Sequence, residues 1–245
     1  MKKNKTIGMI AAVPLEGNSI ARRLGSTPVH NTGGLSWHTG RLGGAEIVFV
    51  VSGMGKTNAS HAATILIRNY HPSLVVNFGV GGAYPSSELK KGDIAVASRE
   101  VYADEGVLLK NGFQTLEYID IPLFKKGRQM YFNELPADKE ASRLMMAAAR
   151  TCGFRTLRGT FATVSTCTGT RQRAGELSKR FVAICENMEG AAIAHICLIY
   201  DVPFVEVRGI SNIAEERDKS KWNIRTASAN CQKTVMEFSA QYIGR

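Results

Sequence analysis

Four places in the 245-residue chain set chemically capable residues at the ends of apolar runs. Glu16 comes just after the run Ile7–Val13. The stretch Gly79–Gly82 follows Leu74–Phe78. Glu189 opens a strongly apolar helical pattern. Asn212 ends "VEVRGISN", beyond the run Val202–Val207. A carboxylate beside a cleft can take a proton from water. A carboxylate at a helix start is favoured by the helix dipole, and its two oxygens can accept from two adjacent sugar hydroxyls. Glycines lack side chains and let a flat ligand reach the backbone. Taken singly, each of these is an ordinary cap or turn residue. Four converging on one sheet edge define a candidate cleft with mixed polar groups.

The elements that must position them are short. Ile7–Val13, Ile47–Val51, Leu74–Phe78, Ile94–Ala97, Phe181–Ile184 and Val202–Val207 have the length and continuous hydrophobicity of strands buried on both faces. Helical patterns lie between several of them. Residues 56–70 begin with Thr57 and Asn58 as cap candidates and carry Ala62, Ile65 and Leu66 on one stripe. Residues 138–153 end at a glycine, residues 188–201 are apolar nearly all round, and residues 226–243 form a terminal amphipathic helix. Strands alternating with helices predict one α/β domain over residues 1–245, with a twisted, mixed and largely parallel sheet flanked by helices. Residues 104–134 show no regular pattern and read as a long connection that could lie over a site. Ligands of open α/β sheets bind beyond the carboxyl ends of the strands, where the four polar groups fall.

Composition narrows the function. Hydrophobic residues make up 44% and charged residues 21%, enough for a sizeable core. The net charge of +10 is scattered, and its densest cluster, residues 1–5, is expected to be a flexible basic tail. Without a nucleic-acid motif, charge alone is a weak sign of DNA or RNA, so no nucleic-acid partner is expected. Five widely spaced cysteines without C-x-x-C argue against a disulfide framework or zinc site and for a reducing, cytoplasmic setting. The run Ile7–Val13 reads better as a first buried strand than as a signal-peptide core. No segment approaches the roughly 18 to 20 apolar residues of a membrane span.

Several tempting motifs fail. "SGMGKT" lacks the glycine five residues before Gly55-Lys56-Thr57 that a phosphate loop needs; Val50 stands there. "GVGGAY" has Tyr84 in place of the third dinucleotide-binding glycine. No H-E-x-x-H or G-x-S-x-G occurs, and His195 on the apolar helix reads as a core histidine. No cofactor or metal is expected.

"ENMEGAAIAHICLIYDVPFVEVRGISN" resembles the segment of nucleoside phosphorylases and nucleosidases that holds the ribose and the purine. "IGMIAAVPLE", "VVSGMGKTNASHAATILI" and "VVNFGVGGAY…LKKGDIAVAS" resemble other blocks of that superfamily, in the same order, from Ile7 to about Trp222. Within its hydrolytic branch the chain is more similar to the futalosine hydrolase family, of a menaquinone route, than to methylthioadenosine/S-adenosylhomocysteine nucleosidases. "STCTGT", "ENMEGAA" and "RGISN" followed by Arg217, Asp218 and Trp222 carry that likeness.

The resemblance implies a nucleoside substrate, a homodimer or larger homo-oligomer, and roles residue by residue. Glu16 matches the water-activating carboxylate and Asn212 the residue facing the leaving base. Glu189 matches the ribose-binding carboxylate, Met188 the residue packing on the sugar, and Arg208 an arginine supporting that region. Met54, Val80, Gly81, Thr168, Gly169 and Thr170 complete the expected substrate-binding set. Val80 replaces a serine of the methylthioadenosine enzymes, so hydroxyl contacts are not carried over there. Trp222 matches an aromatic of the 5′-substituent pocket, where an indole suits an aryl group and Arg217, Lys219 or Lys221 could meet a carboxylate. Where the phosphorylases place a glycine-rich turn and an arginine, this chain has "AAVPLE", and Glu16 would repel phosphate. Hydrolysis is the expected reaction. The alternatives are a methylthioadenosine, S-adenosylhomocysteine or aminofutalosine nucleosidase, a purine phosphorylase, and a non-catalytic nucleoside-binding protein.

Overall fold

The computed structural model describes residues 6–25 and 30–243; the expected tail, residues 1–5, lies outside them. β1 (Thr6–Ala11) leads through α1 (Pro14–Leu24) to β2 (His30–Thr32), β3 (Leu35–Leu42) and β4 (Ala45–Val51). α2 (Lys56–Tyr70) returns the chain to β5 (Leu74–Ala83), followed by β6 (Ile94–Tyr102). The region without a regular pattern holds short strands: β7 (Val107–Leu109) with β8 (Gly112–Gln114), β9 (Phe124–Lys126) with β10 (Gln129–Tyr131), and β11 (Glu134–Pro136). Then come α3 (Lys139–Thr151), β12 (Thr156–Thr163), α4 (Arg171–Phe181), β13 (Ala183–Asn187), α5 (Gly190–Ile199), β14 (Phe204–Ile213) and α6 (Ile224–Ile243).

These elements form a single α/β domain around a mixed sheet. β1 lies parallel between β4 and β5, and β14 lies parallel beside β5. β14 also pairs antiparallel with β6, β6 parallel with β12, β12 parallel with β13, and β13 antiparallel with β5. Five strands therefore close on themselves, and their rim carries the polar residues of interest. The central strands are apolar on both faces because both are covered. Val75 packs with α2 and α5, and its neighbour Val76 packs with α1, α3 and α6. Among the described residues no helix is long and apolar enough to cross a membrane.

Several sequence expectations need correction at the sheet ends. Gly79–Gly82 is not a turn but the last part of β5, paired residue by residue with β14. Asn212 does not follow its strand; it lies inside β14, just past a register shift between Ile210 and Asn212 that leaves Ser211 as the extra residue. A bulge of this kind re-aims the next side chain. β1 stops at Ala11, so Glu16 is the third helical residue of α1 rather than a strand-end residue. The N-cap of α2 is Gly55, at φ 93°, and not Thr57 or Asn58. Phe181 closes α4 instead of opening a strand.

Candidate active site

A cavity of about 250 Å³ opens at the rim of the closed strands. Glu16 stands in its wall with both oxygens engaged. Oε2 accepts from the amides of Ala12 at 3.1 Å and Val13 at 3.2 Å, and Oε1 accepts from the amide of Val80 at 2.7 Å. The Val13 amide is the N-cap donor of α1, met by the third helical residue as in a capping box, and the Ala12 amide stands just before it. The third donor comes from β5, and Gly79 makes that approach possible. A Cβ on Gly79 would sit 2.5 Å from Glu16 Oε1 and 2.9 Å from Arg208 Nη1. Burial pushes the Glu16 carboxyl above its ordinary range. The Arg208 cation and the Val80 amide pull it back, and the Glu189 charge adds to the rise.

Glu189 lies across the cavity at the N-cap of α5. Its Oε1 accepts from the Gly55 amide at 3.0 Å, and its Oε2 accepts from Arg208 Nη2 at 3.2 Å. The "SGMGKT" stretch thus presents an amide to a protein carboxylate. Each Glu189 oxygen keeps a lone pair for a further donor. Arg208 is 1% exposed and bonded at every nitrogen: Nε donates to Glu206 Oε1 at 2.7 Å and Nη1 to the carbonyl of Val80 at 3.3 Å.

Behind this pair the polar network continues into the interior. Glu206 and Arg208 alternate along β14 with Val205 and Val207, which pack against α3 and α6. The two polar side chains therefore face the start of α5, where a Cβ on Gly190 would run into the carboxyls of both Glu206 and Glu100. Glu100 and Glu206 are fully buried, and their carboxyls meet over the bare Cα of Gly190. Burial first, then the Glu206 charge, raises the Glu100 carboxyl well above its ordinary range. A proton on Glu100 would serve Glu206 Oε2, an oxygen with no hydrogen-bond partner among the described residues. Thr163 Oγ1 donates to Glu100 at 2.7 Å. Asn187 spans Glu100 and the backbone amides of Glu189, at 2.9 Å, and Gly190, at 2.7 Å. This relay fixes the first turn of α5 and with it the direction of Glu189.

Of the residues singled out in the sequence, Glu16, Met54, Val80, Gly81, Thr168, Met188, Glu189, Arg208, Asn212 and Trp222 line the cavity. Met54 sits at the rim, 61% exposed. Gly169 and Thr170 do not line it: Thr170 caps α4 by accepting from the Arg173 amide at 3.2 Å, and nothing packs where a Gly169 side chain would be. Arg217 lies over the Trp222 ring, 5.0 Å from its centroid, and both border the cavity mouth. Lys219 lines an adjoining groove with them, whereas Lys221 pairs with Asp218. His195 packs edge-on against Tyr102 and Phe124. Sequence reasoning missed Glu186, Asn187, Cys167 and Ser211, which also line the cavity. The available signal was an acid inside the otherwise buried strand "AICEN", a placement that needs partners.

A sequence profile of the phosphorylase superfamily matches residues 6–240. The 5′-methylthioadenosine/S-adenosylhomocysteine nucleosidase of Halalkalibacterium halodurans is 28% identical over 233 residues, covering 94% of this chain and 96% of that protein. The nucleosidase of the same name from Neisseria meningitidis, solved with methylthio-immucillin-A, superimposes with a TM-score of 0.84 at 25% identity, over 97% of this chain and 99% of that one. Futalosine hydrolase of Helicobacter pylori gives a TM-score of 0.81 at 23% identity, over 96% and 97%, a likeness of fold. With the profile match running from the first described strand into the last helix, the chain belongs to the phosphorylase superfamily.

Proposed function

We propose that this protein hydrolyses the N-glycosidic bond of a purine nucleoside, and that its substrate is futalosine, released as hypoxanthine and the dehypoxanthinyl sugar in menaquinone biosynthesis. The observation that carries hydrolysis is the fate of the cavity's anion-binding groups. The amides of Ala12, Val13 and Val80 are occupied by Glu16, and Arg208 is occupied by Glu189 and Glu206. A phosphate would find no free cradle there and would face two carboxylates. A water would find a base. Glu16 takes the water's proton as oxygen bonds to C1′, while the bond from C1′ to the base nitrogen breaks and its electron pair leaves with the purine. Glu189 holds the ribose hydroxyls, and its charge and that of Glu16 favour the cationic sugar of the transition state.

The base and the 5′ group decide the substrate. Asn212 has a fixed amide: Oδ1 accepts from Ser211 Oγ at 2.7 Å, and Nδ2 donates to the Ile213 carbonyl at 3.1 Å with its second hydrogen left over. That hydrogen suits O6 or N7 of a 6-oxopurine, both acceptors. The amide supplies no proton, so the base leaves as an anion stabilised by hydrogen bonds or takes its proton from water. At the mouth, the Trp222 indole suits the aryl group of futalosine, and Arg217 suits its carboxylate.

The test is incubation with futalosine, with and without phosphate, reading free hypoxanthine by chromatography. Phosphate-independent release is expected. A requirement for phosphate, or a higher kcat/KM on methylthioadenosine or S-adenosylhomocysteine, overturns the reading. The named relatives favour the 6-amino substrates as the second reading, so both belong in the panel. Asn212→Asp should then change the kcat/KM ratio of the 6-oxo to the 6-amino substrate on the order of 10- to 100-fold toward the latter, since a carboxylate opposite O6 sets acceptor against acceptor. An unmoved ratio would take Asn212 out of base recognition.

A further inference from the structure

We propose that Glu186 is a second base-reading residue, whose carboxylate accepts the N1–H of a 6-oxopurine while Asn212 donates to O6 or N7. The inference rests on the reading of the cavity as a purine nucleoside site and assigns the base class that the site takes. Its ground is register. Glu186 of β13 pairs with Gly82 of β5, and Asn212 of β14 pairs with the same Gly82 from the other side. Residues directly opposite one another across a pleated sheet share a face. The bulge at Ser211 is what brings Asn212 into this row; without it, Ser211 would stand opposite Gly82. The row therefore reads carboxylate, bare backbone, amide, and all three residues border the one cavity.

The central position has the right shape for a planar ring. Glu186 and Asn212 are two strand spacings apart, roughly 10 Å between backbones. Between them lies a residue with no side chain, and the Asn212 amide leans over it. A Cβ on Gly82 would reach to 3.3 Å from Asn212 Nδ2 and take that space.

The chemistry of Glu186 is set by its partners, and every one of them donates to it. The Thr168 amide bonds Oε1 at 2.9 Å, the Tyr84 hydroxyl bonds Oε2 at 3.1 Å, and the Thr168 hydroxyl also bonds Oε2. Tyr84 is fully buried, and burial together with the Glu186 charge pushes its phenol above the ordinary range, so it stays a donor. A carboxylate offers about four lone-pair sites. Three are met, which leaves a fourth on a residue that lines the cavity. Hypoxanthine presents N1–H next to O6, a donor beside an acceptor, which matches an acceptor on one flank and an amide donor on the other. Adenine presents the reverse, a bare N1 next to an amino group, and would set acceptor against acceptor at Glu186. Sites built on hydrogen bonds reject the mismatched pattern strongly, because buried polar groups are left unpaired.

A purely structural Glu186 would pin the loop through Thr168 and affect all bases alike. The experiment measures binding of the free bases by calorimetry, which needs no bond cleavage. Wild-type protein is expected to bind hypoxanthine at least tenfold tighter than adenine and than 1-methylhypoxanthine, which has no N1–H. In Glu186→Gln, whose amide can turn a donor toward N1 of adenine, the hypoxanthine-to-adenine ratio of Kd values should move at least tenfold toward adenine. Equal binding of hypoxanthine and 1-methylhypoxanthine by the wild type overturns the proposal without any mutant. So does a Glu186→Gln protein that weakens both bases by the same factor. If the base preferences hold but no nucleoside is cleaved, hydrolysis falls and the base-reading assignment stands. If futalosine is cleaved and the ratios are flat, only the base-reading assignment falls.

Discussion

Glu16→Gln should lower kcat by about 10²- to 10⁴-fold, the usual worth of a general base, while free hypoxanthine still binds. The amide is nearly isosteric, but it cannot take the proton of the attacking water. It also places an NH2 against the amide donors that now surround the carboxylate, so about one hydrogen bond of stability, roughly 1 kcal/mol, is lost as well. That loss is far too small to explain a fall in rate of this size. The pH profile gives a second check. Burial raises the Glu16 carboxyl above its ordinary value of 4.5. Protonated Glu16 is inactive as a base, so kcat/KM in the wild type should fall as pH drops through this raised value. The acid limb should therefore lie above pH 4.5, and it should be missing from the residual activity of the mutant. Near-wild-type turnover by Glu16→Gln would remove Glu16 from the mechanism.

Arg208→Met should cause the largest loss of stability of any single change at the site. The guanidinium is buried between two buried carboxylates, Glu189 at 3.2 Å and Glu206 at 2.7 Å. Removing it strands their charges in the interior, and breaking one partner from a buried pair costs about 3–5 kcal/mol. For a chain of this length each kcal/mol moves Tm by about 2–4 °C, so a fall of about 10 °C is expected by thermal unfolding. Adding Glu206→Leu should recover part of the loss, because replacing a buried pair by apolar groups is often neutral whereas halving it is not. Activity should change independently of stability: without the Arg208 cation the Glu16 carboxyl rises further, and the acid limb of kcat/KM moves to higher pH. A Tm within a degree of wild type would show that solvent or rearrangement neutralises the two acids.

How far the sequence could be read depended on how local the determinants were. Leu74–Phe78 and Val202–Val207 were readable because two covered faces demand an unbroken apolar run. The last residues of β5 and β14, Gly79–Ala83 and Ile210–Ile213, were not. Their extended conformation comes from pairing with each other and with β13, and glycine carries little strand propensity of its own. β3 and β12, "TLRGTFAT", escaped because polar residues and glycine break up any continuous apolar run in them. Glu16, Glu189 and Asn212 could be placed at one edge from the strand order alone. Glu186 could not, since its role depends on which glycine lies opposite it. The bulge at Ser211 is likewise a property of the paired strands. Gly169 and Thr170 were expected in the substrate-binding set, but Thr170 caps α4, where a threonine is an ordinary N-cap.

The buried carboxyl pair behind the site makes folding itself a proton-binding reaction. In the unfolded chain Glu100 has its ordinary value of 4.5; in the native state burial and the Glu206 charge raise it well above that. Folding at a pH between those two values therefore draws protons from the medium at this position. A group raised on folding contributes stability that is complete below its unfolded value and is lost as pH climbs through its native value. The native population thus has an alkaline ceiling written into its interior, independent of surface charge. Such a proton is visible to calorimetry. At one fixed pH, unfolding in a buffer with a large heat of ionisation should give a different apparent enthalpy from unfolding in one with a small heat, with Tm unchanged.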